Sequence, residues 1–201
     1  MVAMKTSEWA MPLKMLAITV LCILSLPSCG REPAIADGRS FSLLNQENQE
    51  VRFPDDFRGK TLVVSFIYTN CPTVCVITTH SMELLKAELG DRDDLMFVSI
   101  SLDPRRDRPE VLNDFARLRG IESDRWQLLT GSIGTIDSLC DAMQVYARKS
   151  FIEENEDGTE YYTIDHSDVI AIVNADGVVQ ERYKGTGLDV EEVAGVINEL
   201  L

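Results

Sequence analysis

Two uninterrupted apolar runs constrain the fold of this 201-residue chain more than any other feature. The runs TLVVSFIY (61–68) and LMFVSISLD (95–103) are rich in β-branched and aromatic residues, which is typical of strands buried on both faces. Each run is followed by a segment with helical spacing of apolar residues, at 72–89 and at 106–120. Strands that alternate with helices predict a parallel core sheet.

Antiparallel elements are predicted on both sides of this core. The segment FSLLNQENQEVRF (41–53) indicates a hairpin, and DVIAIVNADGVVQERY (168–183) indicates two strands around an Asp-Gly turn. Between them, KSFIEENEDGTEYYTI (149–164) predicts a further hairpin. The order of elements therefore predicts an α/β, thioredoxin-like fold. We expect a central mixed sheet flanked by helices, with an N-terminal hairpin and an inserted hairpin loop.

The N-terminal segment has the features of an export signal. Lys5 and Lys14 lie ahead of an apolar stretch of about fifteen residues, which is shorter than the roughly twenty that span a bilayer. The stretch ends in LPSC, which resembles the lipobox of bacterial lipoproteins and predicts a lipid on Cys29. An uncleaved anchor helix and an ordinary secretory signal are the alternatives, and all three place the rest of the chain outside the cytoplasm.

These features divide the chain into three predicted segments: a signal peptide (1–28), a tether (29–40) and one folded domain (41–201). The tether is polar and contains proline and glycine. The expected product is a lipoprotein of the bacterial cell envelope, anchored in a membrane and facing the extracytoplasmic side.

The charge of the chain limits its partners. The formal net charge is −14 at pH 7, which repels phosphates, so nucleic acid is not expected as a partner. A negative surface favours cations or basic proteins by long-range attraction. It also has a simpler interpretation, as a solvated surface that keeps the protein soluble.

Three of the five cysteines belong to the predicted domain. Cys71 and Cys75 are close in sequence, whereas Cys140 lies in a predicted helix and is expected to be a small buried apolar residue. Three thiols are too few for a disulfide scaffold. They indicate one functional pair, Cys71 and Cys75, and one cysteine outside it, Cys140.

The pair Cys71 and Cys75 is predicted to open the helix that follows the first buried strand. Residues four apart lie on one helix face, and the amides at a helix N-terminus stabilise thiolates. A disulfide, a redox couple and a clamp for a soft metal all remain open. Two sulfurs and one imidazole suit Cu(I), whereas closed structural zinc sites use four protein ligands.

The chain has two histidines that could supply the imidazole. His80 lies five residues beyond Cys75, about 140° around the helix, so it cannot join both sulfurs. His166 directly precedes a predicted buried strand, and loops at neighbouring strand ends converge near a helix N-terminus. The alternative for His166 is a loop histidine that hydrogen-bonds to Asp165 or Asp168.

Four ordered motifs resemble those of the Sco/SenC family: YTNCPTVC, SLDPRRDRPE, WQLLTG and YTIDHS. Proteins of this family are membrane-tethered, thioredoxin-like copper chaperones associated with cytochrome c oxidase assembly. The motifs agree in order and spacing over roughly residues 40–200. The resemblance implies that Cys71, Cys75 and His166 bind copper.

The resemblance also makes Asp103 and Asp107 candidates for shaping the surroundings of that site. A simpler prediction is that Asp103 forms a turn before Pro104 and that Asp107 caps the next helix. Neither is expected to be a ligand.

Two functions follow from the thiol pair and the resemblance. The first is a metallochaperone that carries copper, as Cu(I) with Cu(II) as a second candidate, to the CuA-bearing subunit of an oxidase or another copper protein. The second is a thiol-disulfide oxidoreductase that acts on cysteines of such a partner and forms a Cys71–Cys75 disulfide. The three residues between the cysteines, instead of two, argue against a general redox catalyst. No peroxidase signature surrounds Cys71.

Overall fold

The computed structural model describes residues 38–158 and 160–201. The predicted signal segment, Cys29 and the tether up to residue 37 lie outside these residues. The described strands are β1 (Phe41–Asn45), β2 (Glu50–Phe53), β3 (Thr61–Ile67), β4 (Leu95–Ser101), β5 (Trp126–Thr130), β6 (Ala147–Glu154), β7 (Glu160–His166), β8 (Ile170–Val173) and β9 (Val179–Tyr183). The described α-helices are α1 (Val74–Leu89), α2 (Pro109–Arg119), α3 (Ile133–Ala142) and α4 (Val190–Leu200).

Seven of these strands form one mixed sheet in the order β2-β1-β5-β4-β3-β8-β9. The central strands β3, β4 and β5 are parallel, whereas β1 and β8 join them in antiparallel pairs. Every residue of β3 and β4 is buried, as expected for strands covered on both faces. The predicted mixed α/β architecture is confirmed.

Helices pack on this sheet and connect its strands. Helix α1 contacts β3 and α4, α2 contacts β5, and α3 contacts β1. Among the helices of the described residues, none is both long enough and apolar enough to be a membrane span.

Helix α1 begins later than the sequence pattern predicts. Its first helical residue is Val74, so Cys75 lies in the first turn while Cys71 lies in the preceding loop. Pro72 explains the difference, because a residue before proline is disfavoured in the helical region. The prediction that both cysteines open the helix is therefore right for Cys75 and wrong for Cys71.

The inserted hairpin is a separate element. Strands β6 and β7 pair with each other in a two-stranded sheet that has no ladder to the seven-stranded sheet. A bulge interrupts their register between Ser150 and Ile152, and Phe151 within it has a φ of 42°. The aromatic rings of Phe151 and Tyr161 meet on the exposed side of the hairpin.

Candidate metal centre

The two cysteines lie where a fully buried strand of the sheet, β3, meets its helix, α1. Strand β3 ends at Ile67, and the amide of Cys71 donates to the carbonyl of Tyr68 at 3.1 Å, which closes the turn before α1. Cys71 is 8% exposed and Cys75 is 1% exposed. Both thiols are thus held by the core, and only Cys71 retains some contact with solvent.

The structure brings His166 to this thiol pair. One donor atom from each of Cys71, Cys75 and His166 lies within 4.8 Å of the other two, and His166 Nε2 is 3.5 Å from Cys75 Sγ. Within the described residues, this is the one group of three or more cysteine, histidine or acidic side chains with the spacing to hold a metal ion.

The ring of His166 is oriented by two neighbours. Its Nδ1 is 2.9 Å from the carbonyl oxygen of Ser167. Because a carbonyl oxygen only accepts, Nδ1 carries the proton and Nε2 faces the sulfurs, as in histidine ligands of metals. The ring of Tyr68 meets the imidazole edge to face at 5.8 Å. The alternative prediction, a hydrogen bond from His166 to Asp165 or Asp168, is wrong.

Asp168 instead joins the segment after His166 to helix α1. Thr78 Oγ1 donates to Asp168 Oδ1 at 3.1 Å, and the amide of Thr186 donates to Asp168 Oδ2 at 2.9 Å. Gly185 lies so close that an added Cβ would be 2.6 Å from Asp168 Oδ1. Sequence reasoning missed this joint, because no local pattern pairs residues 78, 168 and 185.

Asp107 holds the loop that leads to Cys71. Its carboxylate accepts from the amide of Thr69 at 3.1 Å, from the Thr69 hydroxyl at 2.6 Å and from the Ser101 hydroxyl at 2.6 Å. Burial raises the pKa of this carboxyl group against the effect of those hydrogen bonds. The predicted capping role is wrong, because Arg108 is the N-cap residue of α2 and the side chain of Asp107 points to Thr69.

The two thiols differ in acidity. The pKa of Cys71 is lowered to about 3, because hydrogen bonds from the Cys75 thiol, from the ring of His166 when its Nε2 carries a proton, and from the amides of Thr73 and Cys75 outweigh its burial. The hydrogen bond to Cys71 and burial raise the pKa of Cys75. The amide of Cys75 donates to Cys71 Sγ at 3.4 Å. At neutral pH Cys71 is therefore a thiolate and Cys75 a thiol.

His166 responds to the same thiolate. Burial opposes its charged form, but the Cys71 sulfur and the Ser167 carbonyl together raise the pKa of His166. The protonated ring of His166 and the Cys71 thiolate therefore stabilise each other in the metal-free protein.

One side of the centre is open. A cavity of about 310 Å³ has Cys71 and His166 in its wall, together with Pro72 and Asp165 at its margin, whereas Cys75 does not line it. A group that enters this cavity reaches Cys71 and His166, which line it, and not Cys75.

The other histidine and the remaining described cysteine lie elsewhere. His80 is exposed on α1, and its Nδ1 is 3.0 Å from Glu83 Oε2. Cys140 is buried in α3, and burial raises its pKa to about 12. Both predictions, a histidine outside the site and a buried apolar cysteine, are confirmed.

The donors themselves select the kind of metal. Two sulfurs and one imidazole nitrogen are soft or borderline ligands, which favour Cu(I) over Mg²⁺ or Ca²⁺. A closed structural zinc site would take four protein ligands, and the described residues bring three together. Cys71 and Cys75 are both free cysteines, so both sulfurs are available. The residues present fit a soft, low-coordinate ion.

Comparison with known proteins supports the same kind of site. Bradyrhizobium japonicum ScoI with copper bound has a TM-score of 0.69 and 27% identity, covering 82% of this chain and 99% of that one. A SCO1/SenC family lipoprotein from Bacillus anthracis has a TM-score of 0.68 and 29% identity, covering 85% and 98%. BsSco, a Sco family cytochrome c oxidase assembly protein with a disulfide switch, has a TM-score of 0.63 and 25% identity, covering 81% and 91%.

The family model SCO1/SenC matches residues 31–201, which include all four motifs and the three clustered donors. The fold of the solved relatives is also the fold described above. This chain belongs to the SCO1/SenC family.

Proposed function

We propose that this protein carries copper on Cys71, Cys75 and His166 and delivers it to the CuA site of a cytochrome c oxidase. The observation that carries the proposal is the convergence of two sulfurs and one imidazole nitrogen within 4.8 Å. The copper bound to the similar Bradyrhizobium japonicum ScoI and the role in oxidase assembly described for BsSco support it.

The protonation states suit the uptake of Cu(I). Cys71 is already a thiolate, whereas Cys75 must lose its proton when the ion enters. His166 Nδ1 keeps its proton and its hydrogen bond to the Ser167 carbonyl, so Nε2, once it carries no proton, offers its lone pair to the ion. Binding therefore releases protons, and Cu(I) uptake weakens as the pH falls.

The open side of the centre suits transfer. A ligand of the acceptor enters the cavity beside Cys71 and His166, while the buried Cys75 retains the ion. Exchange proceeds one ligand at a time, so copper is not released as a free ion. Cu(I) is the expected cargo, with Cu(II) as the second candidate.

A copper titration with matched variants tests this function. Reduced protein is expected to bind one Cu(I), and His166→Ala is expected to weaken retention while thiol exchange persists. His80→Ala is the matched control, because His80 is exposed and outside the donor group. Wild-type affinity and coordination geometry in His166→Ala would contradict the proposal.

The proposed setting is the extracytoplasmic face of a bacterial membrane, with the chain anchored by lipid on Cys29. The LPSC sequence supports this location, as does the similarity to the Bacillus anthracis lipoprotein. Labelling cells with a palmitate analogue is expected to mark the wild-type chain but not Cys29→Ser. Labelling of both chains would contradict modification at this residue.

The difference between the thiols favours one alternative, a thiol-disulfide oxidoreductase specific for a copper-site partner. A thiolate of low pKa that is open to a cavity can attack a partner disulfide, and a neighbouring thiol can resolve the mixed disulfide. The disulfide switch described for BsSco supports this second function. An insulin-type reduction assay distinguishes the two: fast turnover lost in Cys71→Ser, together with unchanged metal affinity in His166→Ala, would favour the oxidoreductase.

A further inference from the structure

The strand that carries His166 is not hydrogen-bonded to the main sheet. Strands β6 and β7 pair only with each other in the described structure, and a lone two-stranded hairpin is at best marginally stable in water. On the C-terminal side, Asp168 ties the segment after His166 to α1; on the hairpin side, the position of the imidazole depends on contacts between the hairpin and the body of the protein.

Tyr162 makes the densest set of such contacts. It is 5% exposed and lies four residues before His166, on the same face of β7. Its hydroxyl donates to Asp103 Oδ1 at 2.7 Å, and its carbonyl accepts from Arg106 Nη1 at 3.1 Å. Both partners belong to the loop between β4 and α2, so these bonds cross from the hairpin to the body of the protein.

Two cations lie against the ring of Tyr162. Arg106 Cζ and Lys149 Nζ are each 3.7 Å from its centroid. Arg106 also forms a salt bridge with Asp103. Arg106 Nη2 is buried without a hydrogen-bond partner, so the aromatic face compensates for part of its lost hydration. The ring is thus held from the loop by Arg106 and from β6 by Lys149.

A second contact on the same face continues toward the metal centre. The amide of Ile164 donates to the hydroxyl of Tyr68 at 3.3 Å, and the ring of Tyr68 contacts His166. The side chains of Tyr162, Ile164 and His166 lie on the same face of β7. Four strand residues, about 13 Å, separate Tyr162 from His166, so a shift of Tyr162 is transmitted along the strand to the imidazole.

We propose that Tyr162, held by Asp103, Arg106 and Lys149, is a positioning residue that keeps His166 within reach of the two sulfurs. Tyr162 touches neither the metal nor the donors, and it acts through β7. The proposal rests on the proposed function only for its copper measurement, because the orientation of the imidazole can be observed in the copper-free protein.

Two substitutions separate the parts of this contact. Tyr162→Phe keeps the ring, and with it the contacts of both cations, but loses the hydrogen bond to Asp103. Tyr162→Leu loses the hydrogen bond and the aromatic ring. The Cu(I) dissociation constant is expected to rise roughly 3- to 10-fold in Tyr162→Phe, as for loss of one typical intramolecular hydrogen bond, and further in Tyr162→Leu. Competition with a chromophoric Cu(I) chelator measures both.

Tyr161 provides the matched control. It adjoins Tyr162 in sequence, is 49% exposed and lies on the opposite face of β7. Tyr161→Phe and Tyr161→Leu are expected to keep the wild-type dissociation constant. If they weaken Cu(I) binding as much as the Tyr162 variants do, the effect belongs to the hairpin in general and the proposal is overturned.

A double-mutant cycle distinguishes positioning from general stability. In a His166→Ala background, Tyr162→Phe is expected to change the dissociation constant less than about twofold, because the ligand that it positions is gone. The same 3- to 10-fold loss in both backgrounds would overturn the proposal.

The copper-free readout is the ¹⁵N NMR signal of the His166 ring in reduced protein. At a pH at which the ring is neutral, the wild type is expected to show the tautomer with the proton on Nδ1, and Tyr162→Leu a shift toward a mixture of tautomers. Unchanged ring signals in Tyr162→Leu would overturn the proposal. If His166→Ala keeps wild-type Cu(I) affinity, the proposed function fails, and these ring signals still decide whether Tyr162 positions the imidazole.

Discussion

The thiol pair and the imidazole are supplied by two very different regions of the molecule. Cys71 and Cys75 lie at the junction of β3 and α1, where every residue of β3 is buried and the strand is paired with β4 along its length and with β8 over residues 62–65. His166 ends a hairpin that pairs with itself and has exposed aromatic rings on its outer side.

This difference indicates that the centre has a fixed part and an adjustable part. Buried, fully paired strands open only with much of the fold, whereas a self-paired exposed hairpin opens at lower free energy. In the proposed function we therefore expect the sulfurs to hold the ion throughout and the imidazole to complete or release the site. Four predictions test this contrast, from the largest expected effect to the smallest.

Loss of a sulfur should have the largest effect. Cys71→Ser is expected to weaken Cu(I) affinity by more than about 100-fold, because even the loss of a partner outside the ligand shell costs metal sites 10- to 100-fold. Chelator competition on reduced protein measures the change. Cys140→Ser is the control and should keep wild-type affinity, since Cys140 is buried in α3. A Cys71→Ser protein that binds as tightly as the wild type would remove the distinction between the two regions.

Loss of the imidazole should have a smaller effect. His166→Ala is expected to weaken Cu(I) affinity by about 10- to 100-fold, because both soft sulfurs remain. X-ray absorption spectroscopy should show the loss of one nitrogen ligand. An effect larger than that of Cys71→Ser would make the hairpin, and not the core, the main source of affinity.

The contact of Asp168 with Thr78 of α1 can be strained without changing any of the three proposed metal ligands. Gly185→Ala places a Cβ 2.6 Å from Asp168 Oδ1 and 2.7 Å from Thr78, and is expected to lower the free energy of unfolding by about 1–3 kcal/mol. Urea denaturation measures this loss. Gly195→Ala in α4 is the control: its added Cβ meets nothing within 4 Å, and alanine should raise the stability of the helix by up to about 1 kcal/mol. Equal effects of both substitutions would show that the joint is not tightly packed.

The smallest expected effect is that of pH on the alkylation rate of Cys71, which should be almost constant. Because the pKa of Cys71 is about 3, its thiolate is complete above about pH 5, and its fraction falls only as the pH drops toward 3. Alkylation of Cys71 by iodoacetamide in reduced, copper-free protein should therefore change less than about twofold between pH 5 and pH 8. Mass spectrometry of quenched samples measures the rate.

In His166→Ala the same reaction should slow at the acidic end, because one hydrogen bond that lowers the pKa of Cys71 is removed. Cys140 should remain unmodified in both proteins, since burial raises its pKa to about 12. A wild-type rate that rises about tenfold per pH unit, as for an ordinary thiol, would contradict the assigned thiolate.

Much of the fold follows from local sequence patterns. The continuous apolar runs of β3 and β4 and the helical spacing after them predict the parallel core, and the Asp-Gly turns predict the hairpins. The start of α1 was predicted too early, because the apolar spacing extends back to Pro72 while the proline excludes Cys71 from the helix. The role of Asp107 was also mistaken, since its partners Thr69 and Ser101 belong to other elements.

The sequence by itself determined the order of elements, the types of donor and the ends of elements at which those donors lie. These follow from short-range periodicity and from the chemistry of sulfur and imidazole. Only the tertiary structure decided that Nε2 of a histidine 91 residues beyond Cys75 lies 3.5 Å from its sulfur. It also decided that one thiol is acidic while its neighbour is not, and that Tyr162 ties the hairpin to the body. The physical reason is that distance, burial and hydrogen bonding at the centre depend on groups far apart in the chain, which become neighbours only when the sheet, the helix and the hairpin pack together.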